Sequence, residues 1–302
     1  MDGIKRSLIV LWIAGCGAGG GSGANDDAGA SNDGHASGDA HDASPIDGGP
    51  QAANDRCANA TAINLATMHS ALAATMTGAH ADLSAPCGTT GVPDVFFKFT
   101  LTRRELVYAD TFGASSNTTL FLATSCAVAL AGATTPGDAV CSAGACGTGQ
   151  SQVTALLDPA TYYLVLAGQG AATIHFQHAE VGTGSVSHLA QGVSAPTGTT
   201  GGFGDLDVCD GAGPENAYWW QTCPADPGGA FTASTCTGTN FDTILSLQLP
   251  GSSPDPVCND DVCSVQSSVS ASIPAGAGLF VIDVDSNFST VHGNYTLSVS
   301  RP

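Results

Sequence analysis

Apolar residues recur at every second position, in short runs, along most of this chain. Tyr295, Leu297 and Val299 alternate with Thr296, Ser298 and Ser300, and Phe280, Ile282 and Val284 alternate with Val281, Asp283 and Asp285. Val95, Phe97 and Phe99 alternate likewise with Phe96, Lys98 and Thr100. A period of two is that of a strand with one apolar face, and no window carries the 3.6-residue stripe of an amphipathic helix. Gly- and Pro-rich turns separate the runs. Strands with a single apolar face must bury it against a second sheet, so the pattern predicts an all-β chain of sandwiches.

The pattern also repeats. Cys141 and Cys146 are spaced like Cys258 and Cys263. Asn117-Thr118-Thr119-Leu120-Phe121-Leu122 precedes the first pair, and Asp242-Thr243-Ile244-Leu245-Ser246-Leu247 precedes the second. Each pair is followed by a proline turn (Asp158-Pro159, Ile273-Pro274), an apolar strand and a closing strand near Thr173–Glu180 or Asn294–Ser300. Four matches in one order predict two tandem, disulfide-stapled, jelly-roll-like β-sandwich domains, at 54–181 and 182–302. Residues 16–53 are nearly all Gly, Ala, Ser, Asp, Asn and His. They bury too little apolar area to offset their ordering entropy, so they are expected to form a disordered tether. His35 and His41 in this stretch are read as spacer, since a flexible tether gives a metal no preorganised site.

The first residues carry an export pattern. Lys5 and Arg6 precede an apolar run, Leu8 to Ala14, too short to span a bilayer. The run ends Ile13-Ala14-Gly15-Cys16, which resembles the bacterial lipobox, in which cleavage precedes a diacylated cysteine. The resemblance implies a signal peptide at 1–15, lipidation of Cys16 and a membrane anchor. Gly17 in place of the family's inner-membrane Asp signal favours the outer membrane, so a lipid-anchored protein of the bacterial cell envelope is expected. Composition agrees with that setting. The chain has 302 residues, 39 Gly, 11 Cys and a net charge of −19 with only 7 Lys+Arg. So few cations cannot neutralise phosphates, which excludes nucleic acid as a partner and argues against adsorption to anionic lipid head groups.

The second repeat, and more loosely the first, resembles the bacterial pre-peptidase C-terminal domain. The residues that carry this are Phe241-Asp242-Thr243 with Leu245, Cys258-Asn259-Asp260-Asp261, Pro274-Ala275-Gly276, Val281-Ile282-Asp283 and Gly293-Asn294-Tyr295-Thr296-Leu297. The resemblance implies a jelly-roll-like sandwich of the kind appended to secreted exoenzymes, some of which bind polymers or calcium. No catalytic domain precedes the repeats here.

An oxidising compartment should pair the ten cysteines after Cys16. The favoured pairs are Cys57–Cys87, Cys223–Cys236 and the repeated short pairs Cys141–Cys146 and Cys258–Cys263, leaving Cys126 and Cys209, with Cys126–Cys141 as the competitor that would free Cys146 for another partner. Each repeat holds an odd five, so either one bridge joins the repeats or each keeps a free thiol. No Gly-x-Ser-x-Gly elbow or His-Glu-x-x-His motif is present, and His175 and His178, three apart on a strand, point to opposite faces. An enzyme is therefore not expected. A module binding an extracellular polysaccharide or protein is, with a ligandless structural lipoprotein, or a secreted hydrolase whose active site is assembled from unmarked residues, as the alternatives. Two candidate sites follow. If Asn216-Ala217-Tyr218-Trp219-Trp220 aligns with Asp94-Val95-Phe96-Phe97-Lys98, Tyr218 and Trp220 share an outer face and form a stacking platform. Asp242, Asp260 and Asp261, with the Asn259 amide, offer oxygen ligands for calcium in the second repeat. The first repeat has Asn117, Ser142, Ala143 and Gly144 there.

Overall fold

A computed structural model describes residues 52–83, 87–131, 139–201, 204, 206, 208–209, 211–250 and 256–302. Cys16, the signal segment and the tether up to residue 51 lie outside the described residues.

The described chain is almost wholly β. The first nine strands are β1 (Thr61–Ala62), β2 (His69–Thr75), β3 (Asp94–Thr100), β4 (Glu105–Asp110), β5 (Thr118–Ala123), β6 (Ala139–Ser142), β7 (Gln152–Leu157), β8 (Thr161–Gly168) and β9 (Ala171–Glu180). The next six are β10 (Val186–His188), β11 (Gly192–Ser194), β12 (Thr197–Thr199), β13 (Asn216–Thr222), β14 (Gly229–Ser234) and β15 (Thr243–Gln248). The last five are β16 (Val257–Asp260), β17 (Ser268–Ile273), β18 (Gly278–Ser286), β19 (Asn294–Thr296) and β20 (Ser298–Arg301). One short helix, α1 (Cys126–Ala131), follows β5.

The strands sort into sheets by repeat. The first repeat has sheets ordered β1-β3-β8-β5-β6 and β2-β9-β4-β7; the second has β10-β13-β18-β15-β16 and β11-β20-β14-β17, with β12 and β19 as a small extra pair. Stripped of the parallel edge strands β1 and β10, each is a double-sheet jelly roll, and the two share one strand order. Every other residue of each strand faces the inner side. Val95, Phe97, Phe99, Leu120, Leu122, Leu164 and Leu166 fill the first core, and Tyr218, Trp220, Leu245, Leu247, Phe280 and Ile282 fill the second.

The outer faces of the sheets are occupied too. Leu106 and Tyr108 of β4 and Ala179 of β9 meet Ala217 of β13 and Leu279 and Val281 of β18 in one buried cluster. The inner sheets of the two repeats therefore pack on each other, and the molecule is a stack of four sheets. Polar contacts pin the seam: Gln152 Nε2 donates to the Thr222 carbonyl at 2.8 Å, Thr154 Oγ1 to Gln221 Oε1 at 2.5 Å, and the Leu279 N–H to Gln177 Oε1 at 2.7 Å.

Five disulfides staple this body: Cys57–Cys126, Cys87–Cys141, Cys146–Cys223, Cys209–Cys258 and Cys236–Cys263. All four expected pairings, Cys57–Cys87, Cys141–Cys146, Cys223–Cys236 and Cys258–Cys263, are corrected, and the competitor Cys126–Cys141 does not form either. Of the two outcomes left open for the odd count, the bridge between repeats is the one realised, by Cys146–Cys223. The reason lies in the loop after β6. Its backbone turns left-handed at Gly144 (φ 105°), Cys146 (φ 56°) and Gly147 (φ 73°), and the second repeat does the same at Asp261 (φ 58°) and Ser264 (φ 74°). Cys141 stays with the outer face of its sheet, in the cluster that holds Cys57 and Cys126. Cys146 is carried to the second repeat. Cys141 pairs across the sheet with Phe121, and Cys258 in the same way with Ser246, so Cys87–Cys141 and Cys209–Cys258 are equivalent staples.

Candidate functional site

Asp242 lies just before β15, and β16 runs antiparallel to β15 with Asp260 opposite Ile244. That hairpin returns the chain to its own start, so Asp242, Asp260 and Asp261 each place a carboxylate oxygen within 4.8 Å of the others. Asp261 reaches the cluster because it adopts the left-handed conformation that Gly144 takes in the first repeat. Desolvation, and then the Asp261 charge, push the Asp242 carboxyl above the ordinary range. Asp260 is raised in the same way, by desolvation and by the charges of Asp261 and Asp242. Neutral donors offset part of this: Asn287 Nδ2 donates to Asp260 Oδ2 at 3.2 Å, its side chain also bonds Asp242, and the Asp261 backbone bonds Asp260. Asp242 Oδ1 is buried and accepts no hydrogen bond. Three hard anionic oxygens with an open outer side suit a cation of calcium's type, with backbone carbonyls and water completing six to eight ligands.

Asn259 does not join them. Neighbours on a strand face opposite ways, and Asn259 Oδ1 instead accepts the Ser268 N–H at 2.8 Å, tying β17 to β16. Ser142 Oγ makes the corresponding bond to the Gln152 N–H at 3.2 Å in the first repeat. Asn259 is thus a structural pin, which corrects its expected place among the ligands.

The aromatic platform is corrected as well. Tyr218 is 5% exposed and Trp220 1%. Trp220 is stacked between Phe280, with ring centroids at 4.9 Å, and Phe231, at 5.2 Å, while the Arg301 guanidinium lies 5.5 Å over the ring. The Tyr218 and Tyr295 hydroxyls are hydrogen-bonded at 2.9 Å. The expected alignment was one residue out of register. Val95 and Leu120 both pair with Leu166, as Asn216 and Leu245 both pair with Val284, so Asn216 stands where Val95 does and Trp220 where Phe99 does. A one-residue slip exchanges the two faces of a strand. Trp219 therefore takes the outer face, half-buried, with its ring edge-on to His188 at 4.9 Å.

The strand histidines have separate partners on opposite faces of β9. His175 Nδ1 lies 2.8 Å from Asp110 Oδ1, and His178 Nδ1 lies 2.6 Å from Glu105 Oε2. The hydrogen bond to Asp110 raises the His175 pKa. Burial works against the charge on His178, but the bond to Glu105 and its carboxylate outweigh that and hold the pKa up. Sequence reasoning gave neither histidine a partner, because Asp110 and Glu105 lie more than sixty residues away and meet them only across the β4–β9 ladder.

Neither a protein-family model nor a curated protein matches this chain. Among solved structures the chain is similar, at 8% identity and a TM-score of 0.18, to the M60 catalytic domain with the CBM51-1 and CBM51-2 domains from Clostridium perfringens ZmpB. The match covers 76% of this chain and 36% of that one. At that score the likeness is too low to assign a fold or a function. The architecture itself defines the class: an all-β, disulfide-stapled protein of two docked jelly rolls.

Proposed function

We propose that this is an exported, lipid-anchored protein of the bacterial cell envelope, displaying two modules similar to pre-peptidase C-terminal domains that bind an extracellular polysaccharide or protein partner. The observation that carries the reading is the disulfide set. Ten of the eleven cysteines satisfy one another, an arrangement suited to an oxidising compartment, and the pairing makes no demand on Cys16. A lipid anchor needs that cysteine unpaired. No helix of the described residues is long and apolar enough to cross a membrane, and the proposed attachment is the lipid on Cys16. Cys16→Ala is expected to move the protein from the detergent-extracted membrane fraction to the soluble one and to abolish incorporation of labelled lipid. Retention of the variant in the membrane fraction would overturn the anchor. Pull-down of the protein with polysaccharides, collagen-like polymers and whole cells separates a binding module from a structural lipoprotein without a ligand.

Calcium is the second element of the proposal, at Asp242, Asp260 and Asp261. A cation bound only by the folded state stabilises it by mass action, by about 2.7 kcal/mol at a hundredfold excess over Kd. Thermal melts in millimolar calcium should accordingly lie above those in chelator, and the difference should vanish in the Asp260→Ala, Asp261→Ala double variant. Equal midpoints, or a shift that survives the double variant, would dispose of the site.

A further inference from the structure

The described residues join the two repeats covalently twice, at opposite ends of one seam. One join is the chain itself, from Val181 to Ser185 between β9 and β10. It carries Gly182, at a left-handed φ of 56°, and Gly184, where any Cβ would strike the Glu215 carbonyl. Arg104 Nη1 holds this stretch to the first repeat by donating to the Gly184 carbonyl at 2.8 Å. The Ser185 N–H holds it to the second by donating to Asn216 Oδ1 at 2.8 Å. The other join is Cys146–Cys223. Gln152 lies beside it, with Oε1 3.6 Å from Cys146 Sγ and Nε2 donating to the carbonyl of Thr222. The strand registers fix the separation of the joins. Asn216, at the linker, and Thr222, at the disulfide, are the two ends of β13. In the first repeat Glu105 pairs with Glu180 at the linker end, and Asp110 with Gln152 at the disulfide end. Along β13, at about 3.3 Å per residue, the joins stand about 20 Å apart.

At the disulfide end the seam already gapes. A groove of about 530 Å³ lies there, floored by His69 and His175 and walled by Phe112, Pro224 and Pro274. The His69 ring bonds to the Leu249 backbone across the seam, and its Nδ1 is buried without a partner. Separating the repeats brings water to that nitrogen, so its hydration favours opening. Against this stand the packing of Tyr108 on Leu279, three hydrogen bonds across the seam and the disulfide. Only the disulfide among these can be removed by a chemical signal.

Cys146 is exposed and Cys223 half-buried, so an attacking thiolate has access to Cys146. Cys209–Cys258 also has an exposed end, at Cys258, but it closes within the second repeat, and the other three bridges likewise each lie within one repeat. We infer that Cys146–Cys223 is a redox latch, and that the two jelly rolls hinge apart about Gly182 and Gly184 when it is reduced. The reductant is a dithiol. One of its thiolates attacks Cys146 Sγ, the S–S bond breaks, and Cys223 leaves as a thiolate that takes up a proton. The second thiolate then attacks the dithiol sulfur of this mixed disulfide and releases Cys146. Two electrons pass from the dithiol, which departs as a cyclic disulfide, and its two protons end on Cys146 and Cys223. Opening widens the groove and uncovers Tyr108 and Leu279.

The Leu279 N–H reports on the latch, because its hydrogen bond crosses the seam to Gln177 Oε1. The full protein is treated with increasing dithiothreitol, trapped with N-ethylmaleimide and mapped by peptide mass spectrometry. Cys146 and Cys223 should be alkylated while Cys57–Cys126, Cys87–Cys141 and Cys236–Cys263 are still intact. In that trapped species, amide hydrogen exchange at Leu279 should be about tenfold faster or more, with Leu166 and Leu247 inside the two cores unchanged. The Cys146→Ser, Cys223→Ser double variant should behave like the trapped species, and both should show a larger radius of gyration in solution scattering. Should the double variant not fold, the trapped parent protein decides alone. Unchanged exchange at Leu279 would make the bridge a static staple and overturn the latch. So would opening of the three internal bridges before Cys146–Cys223, or acceleration at Leu166 and Leu247 as well, which means unfolding rather than hinging.

Discussion

Trp220→Ala is expected to destabilise the second repeat by about 3–5 kcal/mol, the usual loss when a large aromatic is deleted from a packed core. The ring has no room to be replaced by water. Phe280 stacks against it nearly parallel, at an interplanar angle of 3°, and Phe231 covers the other side at 17°. Removing it leaves a cavity between two rings that belong to different sheets, β18 and β14, so neither can move in without unpicking its own ladder. The substitution should lower the denaturation midpoint of the oxidised protein without changing the dependence on denaturant. Trp219→Ala, at a half-buried ring on the opposite face, should cost less. A loss below about 1 kcal/mol for Trp220→Ala would mean that the ring is not a core residue.

The second large effect concerns pH. Asp283 lies in the middle of β18, 1% exposed, on the face turned toward the first repeat. Its Oδ2 accepts from Ser246 Oγ at 3.0 Å and Gln248 Nε2 at 3.2 Å, while Oδ1 has no partner. Desolvation dominates those two bonds and pushes the carboxyl up to about 7. Because the folded-state pKa lies above the unfolded value, the folded state binds the proton more tightly. The group therefore costs nothing below about pH 4, costs progressively more as the pH rises to about 7, and is fully penalised above that. A rise of roughly three pKa units corresponds to about 4 kcal/mol. Asp283→Asn keeps the shape and removes the charge, and leaves a buried amide N–H₂ that costs about 1–3 kcal/mol. The variant should be less stable than the parent at pH 4 and equal or more stable at pH 8. The quantity to compare is the change in stability between the two pH values, larger in the parent by up to about 4 kcal/mol. Parallel pH profiles for the two proteins would show that Asp283 is not the group responsible. Asp94, wholly buried and also pushed by desolvation to about 7, contributes the same slope to both proteins and cancels in the comparison.

Much of the architecture is written locally. The alternation in Val95–Phe99, Phe280–Val284 and Tyr295–Val299 identifies core strands, because period-two patterning is a property of the strand itself. The repeat around Cys141 and Cys258 persists down to backbone conformation, with Gly144 and Asp261 at matching left-handed positions. The Asp242, Asp260 and Asp261 cluster was legible for the same reason, since one hairpin brings the three together.

What failed in the sequence failed where the answer depends on register or on contacts distant along the chain. Tyr218 and Trp220 were placed on the wrong face because two aromatics flanking a third can be aligned with Phe96–Lys98 in either of two ways. Only the pairing of Asn216 with Val284 chooses between them. The disulfides were misassigned because proximity in sequence measures loop-closure entropy, whereas the bridge forms where folded strands hold two Cα atoms 5.6–6.0 Å apart. Cys146 finds Cys223 77 residues away because the sheets of the two repeats are already packed on each other.

By itself, then, the sequence determined the strands, the inner faces of those that alternate cleanly such as Val95–Phe99 and Phe280–Val284, the duplication and the carboxylate hairpin, all set by interactions within a few residues or by patterning against water. The tertiary structure alone decided the stacking of the repeats, the disulfide between them, the burial of Asp283 and the groove floored by His69 and His175. Each of these arises where two surfaces from opposite halves of the chain exclude water together, and neither half encodes that meeting separately.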